Sequence, residues 1–117
     1  QYKIKSKTGL MSSGSVVMNY VPKPQSFELS PAYPNPFNPS TIINYGLPED
    51  ANLTLFIYDL QGRLVEKLHD GLRNAGYHEN KWNAAHLSSG IYFVKIHAEG
   101  LEGKELYSKT QKIMLVK

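Results

Sequence analysis

The sequence contains no cysteine, which excludes a disulfide framework, a thiolate nucleophile and a cysteine-based zinc site. It also lacks any apolar run near the roughly 18 residues that a membrane helix requires, so we expect no membrane-spanning segment. Neither a signal peptide nor a long amphipathic helical pattern is present. If the protein is exported, we expect a segment outside this sequence to direct that step.

Catalytic and metal-binding patterns are equally scarce. The histidines show neither the i, i+4 helical pair nor the His-x-His strand pair that places two imidazoles on one metal; they are His69, His78, His86 and His97. The acidic residues fall on separate predicted loops without EF-hand spacing. No second carboxylate accompanies Asp59 at a spacing typical of acid–base catalysis. We therefore predict a protein that is not an enzyme and that binds no metal or cofactor.

The formal net charge of +3 does not by itself indicate a nucleic-acid partner. Signs are mixed in the middle of the chain, as on an ordinary solvated surface. Lysines gather toward the two ends of the chain, at Lys3, Lys5, Lys7 and Lys23 and at Lys104, Lys109, Lys112 and Lys117. Because no recognised nucleic-acid motif accompanies them, we expect no nucleic-acid partner.

The first part of the chain predicts a β segment followed by a linker. Residues 2–7 alternate as a half-buried strand does, and the β-rich residues 16–21 complete a plausible hairpin. A lone hairpin is marginal in water, so it must pack on or pair with something else. Pro22 and Pro24 give the following residues the composition of an extended linker. We divide the chain into a β segment at 1–21, a linker at 22–26 and a main domain at 27–117.

The main domain has the strand spacing of an all-β antiparallel sandwich. Alternation places three sets of side chains each on one face of a strand, the second of them facing inward: Ile43, Tyr45 and Leu47; Leu53, Leu55 and Ile57; and Tyr92, Val94 and Ile96. His78, Asn80 and Trp82 share another face, with the tryptophan as a core anchor. Gly62 suits the tight hairpin at residues 59–62, Gly71 marks a loop, and residues 83–90 have room for one helical turn.

A proline-paced stretch, YPNPFNP at residues 33–39, leads into the first full strand, and Phe37 is the one aromatic residue between its prolines. Asn35 and Asn38 each precede a proline, which favours extended geometry. The simpler interpretation is a rigid lead-in whose Phe37 plugs the end of the core. The alternative is a proline-rich ligand for an aromatic groove, but one aromatic among the prolines favours packing onto the same chain.

Five blocks in order resemble the type A C-terminal sorting domain of type IX secretion substrates. They are YPNPFNPSTI at 33–42, IYDLQGRLV at 57–65, AGYH at 75–78 with Trp82, LSSGIYF at 87–93 and KIMLVK at 112–117. The motif positions are Pro34, Asn35, Pro36, Phe37, Pro39, Asp59, Gly62, Arg63, Gly76, Trp82, Gly90 and Tyr92. A weaker resemblance runs to the immunoglobulin-like domain of the flagellar hook-capping protein.

The resemblance implies an immunoglobulin-like β-sandwich of about seven strands at the end of an exported bacterial protein. It implies a non-catalytic sorting and anchoring role, recognition by the outer-membrane secretion machinery and removal by a sortase-like peptidase that attaches the cargo to the cell surface. The residues it associates with export are Lys112, Ile113, Met114, Leu115, Val116 and Lys117.

Residues 2–21 precede the resemblance and leave a second hypothesis open. They are the end of a preceding cargo domain or, if Gln1 is a mature terminus, an arm that adds to the sheet of a neighbouring copy. Head-to-tail addition of that kind would make an extracellular structural filament. A glycan-binding module is a third possibility, and its only support is the presence of tyrosines and phenylalanines on outward strand faces.

Overall fold

A computed structural model describes residues 23–117, so the hairpin predicted within residues 2–21 lies outside the described part. Seven strands are present: β1 (Glu28–Leu29), β2 (Ser40–Leu47), β3 (Ala51–Asp59), β4 (Leu64–Arg73), β5 (Gly76–Asn83), β6 (Gly90–Gly100) and β7 (Leu106–Leu115). Residues 23–117 contain no helix, and hence none long and apolar enough to cross a membrane.

The strands form two antiparallel sheets, one ordered β1-β2-β5 and the other β4-β3-β6-β7. Every named strand pairing is antiparallel, which confirms the predicted all-β sandwich. In the constant-type immunoglobulin arrangement the fourth strand joins the sheet of the first, second and fifth strands. Here β4 pairs with β3 instead, so the chain has the immunoglobulin-like sandwich with a different placement of its fourth strand.

The core lies between the inner faces of the two sheets. The three predicted sets are buried in β2, β3 and β6, and Leu53, Leu55 and Ile57 of β3, predicted to face inward, are each at most 1% exposed. Because side chains alternate along a strand, the residues between them point outward. Burying one such aliphatic side chain contributes about 1.5–3 kcal/mol, so these three strands carry much of the stability.

Two local predictions need correction. Gly71 lies inside β4, paired with Leu53, and not in a loop. The nine residues of β3 offer pairing partners to β4 as far as Arg73. Two irregularities in the β3–β4 register let β4 continue beyond the strand that the apolar alternation of its sequence predicts. Residues 84–89 form a turn without a helix, in which the N–H of Leu87 donates to the carbonyl of Ala84 at 2.9 Å.

The segment before β1 touches the sandwich. Pro24 is buried against Gly46 of β2, so closely that a Cβ at position 46 would lie 2.6 Å from Pro24 Cγ. Only a residue without a side chain allows this approach. The boundaries at residues 21, 26 and 27 remain predictions.

Candidate recognition site at one end of the sandwich

Most of the motif positions gather at one end of the sandwich, which we call the motif end. It comprises residues 34–39, 59–63, 82–92 and 112–117. Three antiparallel strands finish there, β3, β5 and β7, while β2, β4 and β6 begin there. Gly76 is the exception, because it pairs with Leu47 at the opposite end.

An aromatic cluster fills the motif end. The ring centroids of Phe37 and Trp82 lie 5.6 Å apart, and those of Trp82 and Tyr92 lie 5.8 Å apart in an edge-on arrangement. Phe37 and Trp82 are each 2% exposed, which confirms the predicted core positions. The hydroxyl of Tyr92 donates to the carbonyl of Ser88 at 2.8 Å and so ties the turn before β6 to the cluster. The proline stretch thus packs onto its own chain.

The proline stretch also covers the outer edge of β7. The N–H of Phe37 donates to the carbonyl of Met114 at 2.9 Å, and the N–H of Val116 donates to the carbonyl of Phe37 at 2.9 Å. The peptide bonds before Pro34, Pro36 and Pro39 are cis. Since proline has no N–H to donate to a ladder, the segment needs another donor to pair with β7.

The side chain of Asn35 supplies that missing pairing. Its Nδ2 donates to the carbonyl of Lys112 at 3.2 Å, and its Oδ1 accepts the N–H of Met114 at 3.0 Å. These are main-chain groups of β7 that point away from β6 and would otherwise form an open sheet edge. The residues of the proline stretch therefore close the edge of the strand predicted to carry the export signal.

The terminal residues divide into buried and exposed side chains. Ile113 and Leu115 are each 1% exposed and belong to the core, whereas Met114 is 41% and Val116 46% exposed. Lys117 is tied back by its N–H, which donates to Ser89 Oγ at 3.0 Å, and by its Nζ, which donates to the carbonyl of Ala85 at 2.8 Å. The side chains open to a partner of the folded domain are therefore those of residues 112, 114, 116 and 117.

The turn between β3 and β4 is fixed by Asp59. Its Oδ1 accepts the N–H groups of Gln61 and Arg63, both at 2.9 Å, and its Oδ2 lies 2.9 Å from Arg63 Nε. The backbone N–H of Arg63 is the largest cause that holds the pKa of the Asp59 carboxyl below its ordinary value. Gly62 takes a φ of +85°, as predicted for this turn. Asp59 and Arg63 thus have a local, structural use.

A shallow groove of about 440 Å³ lies between this turn and residues 86–92. It contains His86, Ser88 and Ser89 beside Asp59, residue types that occur together in hydrolases. Both Asp59 oxygens are engaged by the turn, and no hydrogen bond among residues 23–117 joins His86 to either serine or to Asp59. A nucleophile–base relay is therefore not assembled in the described residues, and these residues contain no cluster of three metal-ligating side chains.

Sequence reasoning identified the motif blocks that lie at this end of the sandwich. It missed two contacts that their residues make there. It did not show that Asn35 pairs with β7 or that Lys117 reaches back to the turn at residues 84–89. An asparagine in a stretch of prolines is a usable signal for the first, because its amide is the donor that the prolines lack. Nothing in the sequence signals the second.

The fold and this site define an immunoglobulin-like sandwich whose C-terminal strand is locked into its core and edge. Residues 31–115 match the family described as "Secretion system C-terminal sorting domain", and the chain belongs to that family. The suspected type IX sorting-domain relationship is thereby confirmed. Membership indicates a sorting signal and an exported protein, either secreted or at the cell surface.

The solved structures that resemble this chain include dimeric latent PorU from Porphyromonas gingivalis, at 21% identity and a TM-score of 0.60 over 86% of this chain. CopC from Methylosinus trichosporium OB3b has 16% identity and a TM-score of 0.49, covering 77% of this chain and 93% of its own. PorZ, a surface component of the type IX secretion system of P. gingivalis, has 24% identity and a TM-score of 0.44 over 80% of this chain. This chain spans only 10% of PorU and 12% of PorZ. No curated protein sequence matches it. None of these comparisons supports the filament hypothesis.

Proposed function

We propose that the folded sandwich is the export signal by which the outer-membrane type IX machinery recognises the attached protein and delivers it to the cell surface. The observation that carries this proposal is the position of residues 112–117. Residues 112–115 form the end of β7 and residues 116 and 117 follow it, with Ile113 and Leu115 inside the core and the main chain hydrogen-bonded to residues 35 and 37.

A terminal strand of this kind is unsuited to recognition as a free peptide. Releasing it would expose two core side chains and leave the aromatic cluster without the main-chain partner of Phe37. A partner that binds the folded domain avoids that cost, because it contacts only the side chains already exposed. Deleting the strand therefore removes both the recognition residues and the fold.

The experiment separates these two contributions. A secreted reporter is fused in front of the full chain in a bacterium with a type IX system, and the reporter is measured on the cell surface, in the medium and inside the cell. We expect deletion of residues 113–117 to stop delivery. Leu55→Ala leaves the terminal strand intact but removes a fully buried side chain, at a cost of about 2–5 kcal/mol. It should also reduce delivery, whereas the exposed Leu72→Ala should not.

Three outcomes decide the proposal. Full delivery after deletion of residues 113–117 would overturn the sorting role of this chain. Loss on deletion together with full delivery of an unfolded Leu55→Ala variant would show that the terminal peptide alone is the signal. The third outcome concerns the attachment step. Retention of the reporter on the cell surface, and loss of that retention in a strain without the sortase-like peptidase, would support attachment.

A further inference from the structure

The outward face of the four-stranded sheet has two unlike halves. The strand register places three rows of side chains nearest the motif end, and we call this set the lysine–apolar face: Ile91 and Met114; Leu64, Tyr58, Phe93 and Lys112; Lys67, Phe56, Lys95 and Thr110. The next two rows form the mixed face: Asp70, Thr54, His97 and Ser108; Leu72, Asn52, Glu99 and Leu106.

The two faces differ in charge as well as in polarity. The lysine–apolar face has three lysines and no acid, and its other side chains are apolar or aromatic except Thr110. The mixed face has two acids and no lysine. Two further acids lie near the first face but do not neutralise it: Glu66 is paired with the buried Ile57, on the other side of the pleat, and Asp59 is engaged by Arg63.

The apolar groups of this face are open to solvent. Leu64 is 47% and Met114 41% exposed, while Phe56, Tyr58 and Phe93 are half-buried. Lys67 Nζ lies 5.6 Å from the centre of the Phe56 ring, a cation–π distance that holds one lysine over the aromatic row. Apolar side chains in adjacent rows of a sheet form a contiguous patch, which is characteristic of an interaction surface.

We infer that the lysine–apolar face is the surface by which the folded sorting domain docks on a protein partner whose own surface is apolar at the centre and acidic at the rim. This inference rests on the proposed sorting function. Two members of the face, Lys112 and Met114, belong to the terminal strand itself, so the face is continuous with the exposed part of the export signal. The three uncompensated lysines require the acidic rim.

A protein partner fits these side chains better than a sugar or a nucleic acid does. Half of its six apolar or aromatic side chains, Leu64, Ile91 and Met114, have no ring for base stacking and no hydrogen-bonding group for sugar hydroxyls. Four strands about 4.8 Å apart and three rows cover roughly 400 Å², about half of what one side of a stable interface buries. An interface of this size is typical of transient binding. Transient binding suits a sorting signal, because the partner must let go of the exported protein after delivery.

The test uses substitutions outside the terminal strand, so that its failure is distinct from failure of the sorting function. Leu64→Ser with Lys95→Glu alters the lysine–apolar face in the full reporter fusion. The matched control is Leu72→Ser with Lys81→Glu, which makes the same two changes at exposed positions elsewhere on the sandwich. Thermal unfolding of both purified chains confirms that they remain folded.

We expect the face variant to reduce surface delivery about ten-fold and the control to stay within two-fold. Equal delivery by the two variants, while deletion of residues 113–117 still blocks it, would overturn this inference and leave the sorting function standing. Binding of the purified wild-type chain to heparin or to an oligothymidylate that the face variant alone loses would also overturn it, because the face would then serve a polyanion. Each single reversion, to Leu64 or to Lys95, should restore part of the delivery, and the two effects should add. That result would support the inference.

Discussion

Replacing Asn35 by alanine tests whether a side-chain amide closes the edge of the terminal strand. The substitution removes two hydrogen bonds, one from Nδ2 to the Lys112 carbonyl and one from the Met114 N–H to Oδ1. Each contributes about 0.5–1.5 kcal/mol, and water can replace both partners because Asn35 is exposed. We therefore expect the free energy of unfolding in urea to fall by about 1–2 kcal/mol.

The local effect is more diagnostic than the global one. The amide of Met114 points to Asn35, while the amides of alternate residues such as Ile113 face β6. Hydrogen exchange should therefore accelerate by about 5–30-fold at Met114, and at Ile113 only as far as global stability falls. Asn38→Ala is the matched control, because Asn38 also precedes a proline yet makes no side-chain hydrogen bond with residues 23–117. Unchanged exchange at Met114 in the Asn35 variant would refute the edge-closing role.

Two further predictions concern the motif end. Phe37→Ala should lower the free energy of unfolding by about 3–5 kcal/mol in urea, whereas Tyr33→Ala, at a side chain 76% exposed, should change it by less than about 0.5 kcal/mol; equal losses would show that Phe37 is not the anchor. The pKa of Asp59 is lowered in the folded state, so its carboxylate stabilises the fold at pH values above the ordinary aspartate pKa of about 3.9. This contribution disappears as the pH falls through the lower pKa of the folded state. The melting temperature of wild type should therefore exceed that of Asp59→Asn at pH 7 and converge with it in strong acid, and a gap that widens on acidification would contradict the assignment.

The sequence alone predicted β2, β3 and β6 and the side chains that they bury because these three strands alternate. In β2, β3 and β6 one face is buried, so a two-residue period identifies the core positions without any knowledge of the partner strands. Phe37 and Trp82 were predictable for another reason: Phe37 is the one aromatic residue between the prolines of its stretch, and Trp82 is the one tryptophan of the sequence. A residue of that size has few stable positions other than the core.

Features that depend on pairing between distant residues were not predictable. The sequence predicts a loop at Gly71. This residue belongs to a strand only because β3 is long enough to offer it a pairing partner, Leu53. The contacts of Asn35 with Lys112 and Met114 join positions more than 75 residues apart. The lysine–apolar face is assembled from four strands in a particular order, and alternation within each strand says nothing about which strand lies beside it.

The closure of the β7 edge and the lysine–apolar face have opposite effects on association. An open edge pairs with any extended chain, since main-chain hydrogen bonds carry little sequence information, so a domain with such an edge is prone to aggregation. Prolines and Asn35 remove that route over residues 112–116, where the side chains of the proposed recognition surface lie. What remains available there is the set of outward side chains, whose pattern of lysines and apolar groups is specific. In the proposed docking, the proline stretch therefore directs the partner from the edge of the terminal strand to its face.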